Sequence, residues 1–364
     1  MCGHINQTWL TKLDGNAMKK FALLIVTLVA SGLVNAADKK PVTLRIATLA
    51  PEASAWVQAM RQGAKDIKNR TAGRVVIKLY PGGIQGSDRQ VLRKFRTSLQ
   101  GGAFTPSAFS DLYPDINLYS LPLTFQSEAE AAYVRSRMDF HLINGLKAKG
   151  YICFGIAGTG FALIMSSKPI YSAADLKGKK VWVPEGDGVS YRSMQALGVS
   201  PQPLPLTDVL LGLRTNLIDI APVSSLGALF MQWHTSVDYL TDMPLVYTYG
   251  FMVIKDTAFK RIDPKDREIV RQIMEKIYSD ADAAIAVEDA KAKQVLLDHG
   301  MQRIVPSAAE VAKIRKIMAD SNRKLAQEGV ISEALYDEML RYIDEYRSEQ
   351  ESADENVTKG AEAA

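Results

Sequence analysis

Two cysteines and four histidines in 364 residues are too few for a disulfide framework or a histidine-rich metal site. Charge of one sign is also missing. Lys and Arg total 44 against 40 Asp and Glu, a formal net charge of +4 with no basic block. Nucleic-acid binding therefore has no electrostatic footprint. Internal repeats and low-complexity linkers are absent, and 47% hydrophobic with 23% charged residues excludes collagen, coiled-coil arrays and wholesale disorder. No GxxxxGK(S/T), HExxH, GxSxG or CxxC occurs. The glycines of Gly155-Ile156-Ala157-Gly158-Thr159-Gly160 stand in the wrong order for GxGxxG and lead into a strand. His141, His234 and His299 are far apart in sequence, and Cys153 sits between Ile152 and Phe154 in an apolar strand, as an inert thiol would. No metal, cofactor or catalytic constellation is expected, so the chain is read as a binding protein and not an enzyme.

Long hydrophobic runs are likewise scarce, with one exception near the start. Met18-Lys19-Lys20 precedes the apolar run Phe21 to Ala30, and Val34-Asn35-Ala36 offers a cleavage site before the polar Ala37-Asp38-Lys39-Lys40. This pattern predicts a signal peptide over 1–36, with 1–17 an upstream start artefact and Met18 the natural initiator. The run is shorter than the roughly 20 residues of a membrane span. No other stretch approaches that length, so the mature chain is expected to lack a transmembrane segment. Cleavage near Ala36 leaves 328 residues with 41 basic and 39 acidic side chains, and Cys153 as the one cysteine.

What is present is an alternation of strand and helix patterns. Val42–Leu49 alternates and is rich in branched residues. Residues 53–70 then place Trp56, Val57, Met60, Ala64 and Ile67 at helical spacing, and Arg74–Tyr80 is a second strand. The turn Pro81-Gly82-Gly83-Ile84-Gln85-Gly86 is read as serving close lobe contact and not as an anion nest, with Ser87 as a helix cap. Further strands are predicted at Tyr151–Ala157, Phe161–Met165, Lys179–Val183, Leu217–Val223 and Val246–Ile254. Lys265 to His299 contains neither Gly nor Pro, predicting a helix about 50 Å long at 1.5 Å per residue. That length crosses two domains. The fold class is α/β: two lobes sharing several strands and one spanning helix, as in hinged ligand-binding proteins. Residues 37–159 and 249–288 are assigned to lobe I, 160–248 and 289–345 to lobe II, and 346–364 to a polar disordered tail.

Several segments carry a family resemblance. They are Thr71-Ala72-Gly73 before RVVIKLYPGG, Gln85-Gly86-Ser87-Asp88-Arg89, Tyr113-Pro114-Asp115 with Ser120-Leu121-Pro122-Leu123, Ser172 through Val181 (SAADLKGKKV), Ala196 through Pro203 and Leu213 through Asp219. In order and spacing over roughly 42–345, the chain resembles the periplasmic solute-binding proteins of tripartite ATP-independent periplasmic (TRAP) transporters, of the dicarboxylate-binding type. The resemblance implies a two-lobed periplasmic-binding-protein-like fold with a long hinge-spanning helix. It also implies a periplasmic location, a small-molecule ligand and delivery to integral membrane TRAP permease subunits powered by an ion gradient.

The ligand positions depart from the family. Its carboxylate-gripping arginine is replaced by Trp182 in Val181-Trp182-Val183-Pro184. Where a second arginine is common at the lobe crossover, the chain reads Gly160-Phe161-Ala162, and the Asp-Gly-Gln-Glu-Asn run becomes Asp219-Ile220-Ala221-Pro222-Val223. Leu49 and Thr105 stand where polar contacts are common, Leu206 joins the expected lining, and Asp88 matches its family position. Without the arginine a carboxylate loses charge-assisted bonds worth about 1.5–3 kcal/mol each. Trp182, Phe161, Val223 and Leu49 therefore predict a largely hydrophobic or aromatic ligand. Glu185 and Asp187 either meet a polar ligand group or form a solvated turn and helix cap. Trp182, Tyr191, Tyr249 and Phe251 either wall the cleft or pack in the core. Two alternatives stand beside the main reading: an organic acid held by a substitute cation such as Arg192 or Arg89, and a periplasmic carrier independent of any permease. If Trp182 faces the cleft, Trp182→Arg restores acid binding.

Overall fold

The computed structural model describes residues 40–362, so the signal peptide and start artefact expected over 1–36 lie outside the described residues. Strand β1 (Val42–Thr48) is followed by helix α1 (Ala55–Arg70), whose cap Ser54 accepts from the Val57 N–H. Ala72 and Gly73 turn left-handed and return the chain into β2 (Val75–Tyr80). At the head of α2 (Asp88–Lys94) the Ser87 N–H donates to Gln90 Oε1 at 2.9 Å, and β3 (Gly101–Phe104) follows. Strands β2 and β3 flank β1 in parallel. Two 3-10 segments, Pro106–Phe109 and Pro114–Ser120, lead to α3 (Glu128–Ala148).

Strand β4 (Tyr151–Ser166) then carries the chain out of this first lobe. Sequence patterning divides it in two at Gly158-Thr159-Gly160, but the strand is continuous. Pairing with the later strand Tyr239–Lys255 is kept through register shifts between Cys153 and Ile156 and between Gly158 and Gly160, and Gly160 takes a φ of +90°. The second lobe contains α4 (Ala173–Leu176), β5 (Lys180–Pro184), α5 (Gly188–Ala196), β6 (Ser200–Leu204), α6 (Val209–Arg214), β7 (Ile220–Val223) and α7 (Ser225–Phe230). Here β6 and β7 flank β5 in parallel. Strand β8 (Tyr239–Lys255) returns antiparallel to β4, ending against β3. After α8 (Asp256–Phe259) come α9 (Pro264–Asp298), β9 (Gln302–Ile304), α10 (Ala308–Gln327) and α11 (Glu333–Glu362). One nine-stranded sheet results, in the order β2-β1-β3-β8-β4-β7-β5-β6, with β9 on β8.

Helices cover both faces of each half-sheet, giving four apolar clusters. Helix α9 crosses the lobes as its length predicts: Met274 and Ile277 pack with Leu44 and Ile46 of lobe I, and Leu296 packs with Trp233 and Leu240 of lobe II. On the opposite face, α10 sets Ile314 and Met318 into lobe II, yet Leu325 and Ala326 join a lobe I cluster with Tyr336, Met339 and Ile343 of α11. From about residue 325 the chain packs against the cluster that contains Val134, Met138 and Leu142 of α3. The boundary of the tail moves. Helix α11 continues beyond residue 346 because Tyr346 packs on Tyr133 at 5.2 Å and Arg347 pairs with buried Glu130 at 2.6 Å. No helix among the described residues is long and apolar enough to cross a membrane.

Candidate functional site

The parallel strands of the two half-sheets end at one inter-lobe face. In open α/β sheets, loops beyond the carboxyl ends of such strands are where ligands bind. Leu49 follows β1, Thr105 follows β3, Glu185 follows β5, Leu206 comes two residues after β6, and Val223 closes β7. Asp88 opens α2, after the turn that leaves β2. Six of the ten residues expected to bind ligand thus occupy equivalent places in the topology. The two lobes touch across this face. A β-carbon built on Gly83 would lie 3.3 Å from Leu49 Cδ2 and 3.7 Å from Thr207 Cγ2, so the glycine turn does serve a close lobe contact.

On the lobe I side, Thr105 Oγ1 donates to Asp88 Oδ2 at 3.3 Å. Burial raises the Asp88 carboxyl from 3.8 to about 7, with the Thr105 hydroxyl and backbone contacts opposing it. Between those values the folded state holds a proton that the unfolded chain has released. The stability this gives is fully present below the ordinary value and is lost as pH rises toward 7. Asp88→Asn should therefore gain melting temperature over wild type as pH is raised from about 4 to about 8. Thermal unfolding at both pH values tests this, and an offset independent of pH would count against it.

On the lobe II side, Trp182, Leu206 and Val223 belong to one apolar cluster over Trp233. Trp182 is 7% exposed, its ring meets Trp233 edge-on at 5.2 Å, and its Nε1–H donates to Leu204 O at 3.0 Å. The alternation of β5 explains this placement, since Val181 and Val183 face the opposite cluster under α5 and α10. Of the two readings of Trp182, the structure takes the core one. Asp187 resolves toward the helix cap: it is buried, and accepts from Ser190 N at 2.9 Å and Ser190 Oγ at 2.6 Å at the start of α5. Burial raises its carboxyl. Glu185 is half-buried at the rim, its N–H donating to Leu204 O. Phe161 and Ala162 are buried in mid-β4, where Phe161 packs on Tyr247 at 5.4 Å. Tyr249 and Phe251 are core residues, and Tyr191 is exposed.

A network absent from the sequence reading joins the lobes behind this face. Arg135 of α3, 3% exposed, donates to Asp282 Oδ1 at 2.5 Å, Tyr247 Oη at 2.9 Å, Asp139 Oδ2 at 3.0 Å and Ile156 O at 2.6 Å. Burial works against its charge, but Asp139, Tyr247 and Asp282 outweigh that and raise its pKa. Asp282 of α9 also accepts from the Gly158 N–H of β4 at 2.8 Å. One helical stretch further, Asp289 accepts from the Leu226 N–H of α7 at 2.9 Å. Helix α9 is thereby pinned to lobe I by one carboxylate and to lobe II by another. Nearby, burial and then Asp289 and Asp282 raise Glu128 to about 7. The signal in the sequence was an arginine within the apolar stripe Ala131, Val134, Met138 and Leu142.

Cys153 is buried and its thiol is pushed up to about 12, chiefly by burial, in keeping with an inert role. The fold brings His234 and His299 to ring centroids 6.1 Å apart, despite their separation in sequence. Each ring is held by a backbone carbonyl, and among the described residues no three metal-ligating side chains converge.

Comparison with known proteins gives a family match over residues 46–328, to the bacterial extracellular solute-binding proteins of family 7. The chain is 21% identical over 303 residues to the sialic acid-binding periplasmic protein SiaP of Vibrio cholerae, covering 79% of this chain and 89% of that one. Among solved structures it is similar to the sugar acid binding protein DctPAm of Advenella mimigardefordensis in complex with galactonate. The TM-score is 0.78 at 21% identity, over 84% of this chain and 99% of that one. It is also similar to a TRAP periplasmic solute binding protein of Desulfovibrio salexigens with bound orotic acid, at TM-score 0.76 and 20% identity, over 83% and 99% of the two chains.

Proposed function

We propose what this chain, which belongs to the bacterial extracellular solute-binding proteins of family 7, captures between its lobes: a small molecule whose buried surface is mostly apolar. The chain is a TRAP-type solute-binding protein and not an enzyme, in a family of periplasmic proteins. The observation that carries the ligand class is the apolar cluster at the carboxyl ends of β5, β6 and β7. Half-buried Leu206 and Val223 lie there over the core pair Trp182 and Trp233, and Val223 ends the run where the family resemblance implies an amide contact. A carboxylate set on that floor would be desolvated without a guanidinium to compensate it. An apolar or aromatic surface set there gains burial instead, at about 25 cal/mol per Å². Delivery to a membrane-embedded TRAP permease is part of this reading and is supported by the family membership, as is export to the periplasm through the leader read at 1–36.

A second reading, a small organic acid, is favoured by Arg89, which stands beside Asp88 at the same face. The related structures with galactonate and orotic acid support it as well. Native mass spectrometry of the protein as isolated, followed by organic extraction, separates the two. An apolar co-purified molecule is the expected result. Recovery of a small acid, together with measurable calorimetric binding of galactonate or orotic acid, would overturn the apolar reading in favour of the second.

A further inference from the structure

Two arginines converge where α10 passes from one apolar cluster to another. Arg315 follows Ile314, which packs under Val181 and Val183, and Arg347 lies on α11 beyond Met339 and Ile343, which pack with α3. The segment 121–126 joins the same two clusters, with Leu123 in the first and Phe125 in the second. In the orientation its neighbours require, the Gln126 amide oxygen accepts from Arg347 Nη2 at 3.0 Å and from Arg315 Nη1 at 3.1 Å. One neutral oxygen thus serves two guanidinium groups. Neither of them is a free surface group. Arg347 Nε donates to Oε1 of buried Glu130 at 2.6 Å, and the other Glu130 oxygen accepts from the Gln126 N–H, so both carboxylate oxygens are engaged. Arg315 Nε is buried and meets no acceptor among the described residues. Burial and then Arg347 lower the Arg315 pKa, and only Glu130 opposes them. Arg315 therefore has a neutral amide as partner for a full positive charge, and a buried charged donor left without an acceptor is costly.

We propose that Arg315 and Arg347 form a binding site for a small oxyanion, whose charged oxygens take the place of the Gln126 amide oxygen between the two guanidinium groups. The ligand class is a carboxylate or a phosphate, since both present oxygens that match the guanidinium fork. Gln126 is exposed, so its side chain can turn out to solvent as the anion enters. Glu130 keeps Arg347 in place and leaves one positive charge of the pair uncompensated. Gln126, Glu130, Arg315 and Arg347 all lie away from the carboxyl ends of the strands, so this site is separate from the one that takes the carried molecule. An anion held there ties α10 to α11 and to the start of α3.

The test titrates sodium phosphate, and separately sodium acetate, into the protein as isolated at neutral pH, exchanging each for sodium chloride at constant ionic strength. Melting temperature is the readout, and a saturable rise with at least one anion is expected. Saturation by phosphate alone identifies a phosphate ligand, and saturation by acetate alone a carboxylate. Arg315→Met should weaken the midpoint by about tenfold or more, the loss of one hydrogen bond to a charged group. Arg315→Lys keeps the charge without the planar fork and should also weaken binding, which covers the case that Arg315→Met does not fold. Gln126→Ala should tighten the midpoint by about two- to tenfold, because the amide no longer competes for the guanidinium groups. A network that is only structural predicts the opposite, a less stable Gln126→Ala protein that neither anion rescues. That result, a rise that never saturates, or an Arg315→Met midpoint equal to wild type would overturn the proposal.

Discussion

Replacing Arg135 by alanine should cost about 3–5 kcal/mol of stability, the range for breaking a buried ion pair from one side. The side chain is 3% exposed and donates to two carboxylates, a phenol and a backbone carbonyl. Its loss leaves Asp139 and Asp282 without their cation, beside Glu128 and Asp289. It also frees one of the carboxylates that pin α9, so the damage reaches both lobes. Urea unfolding of the variant measures the effect, with Arg61→Ala as control. The Arg61–Glu52 pair lies at the surface and should be close to silent. A loss for Arg135→Ala as small as that of the control would mean that Asp139 and Asp282, which are partly exposed, are solvated well enough without the buried guanidinium.

Trp182→Arg should be destabilising and should not create an acid site. Trp182→Ala alone is expected to cost about 3–5 kcal/mol as a large-to-small change in a packed core. Arginine does worse. It puts a guanidinium against Trp233 with no carboxylate to meet it, and the Leu204 carbonyl loses the indole donor. This reverses the expectation that holds if residue 182 faces the cleft. Thermal unfolding together with calorimetry against galactonate decides the matter. A variant that keeps wild-type stability and binds galactonate would place residue 182 in the cleft and the apolar cluster elsewhere.

The sequence and the structure part company at identifiable places. Strands and helices were legible because their periodicities are strong: helix α9 runs Pro264–Asp298 where a gap in Gly and Pro extends from 265 to 299. The placement of Leu49, Thr105 and Glu185 at strand ends was legible because each directly follows a strand whose pattern is strong. Side-chain direction was not legible. Trp182 and Asp187 sit near the same strand end as Glu185, yet one turns under the sheet and the other caps a helix. Those outcomes depend on Trp233 and Ser190, partners that only the fold or the local turn supplies. Arg135 was missed for a related reason: a charge in an apolar stripe signals burial, but two of its partners, Asp282 of α9 and Tyr247 of β8, lie more than 100 residues away. At the C-terminal end, polar composition was read as disorder from 346 onward, whereas Tyr346 and Arg347 pack on α3.

Strands β4 and β8 belong to both lobes at once. The end of β8 at Phe251–Ile254 pairs with β3, and the end of β4 at Leu163–Ser166 pairs with β7. A lobe of this protein is therefore not a heritable module. Exchanging one for a relative's would splice two paired strands in mid-register, across the shifts at Gly158 and Gly160, and would also cut α9 and the α10–α11 crossing. A substitution at a strand end, as at Leu49 or Val223, leaves every strand pairing intact.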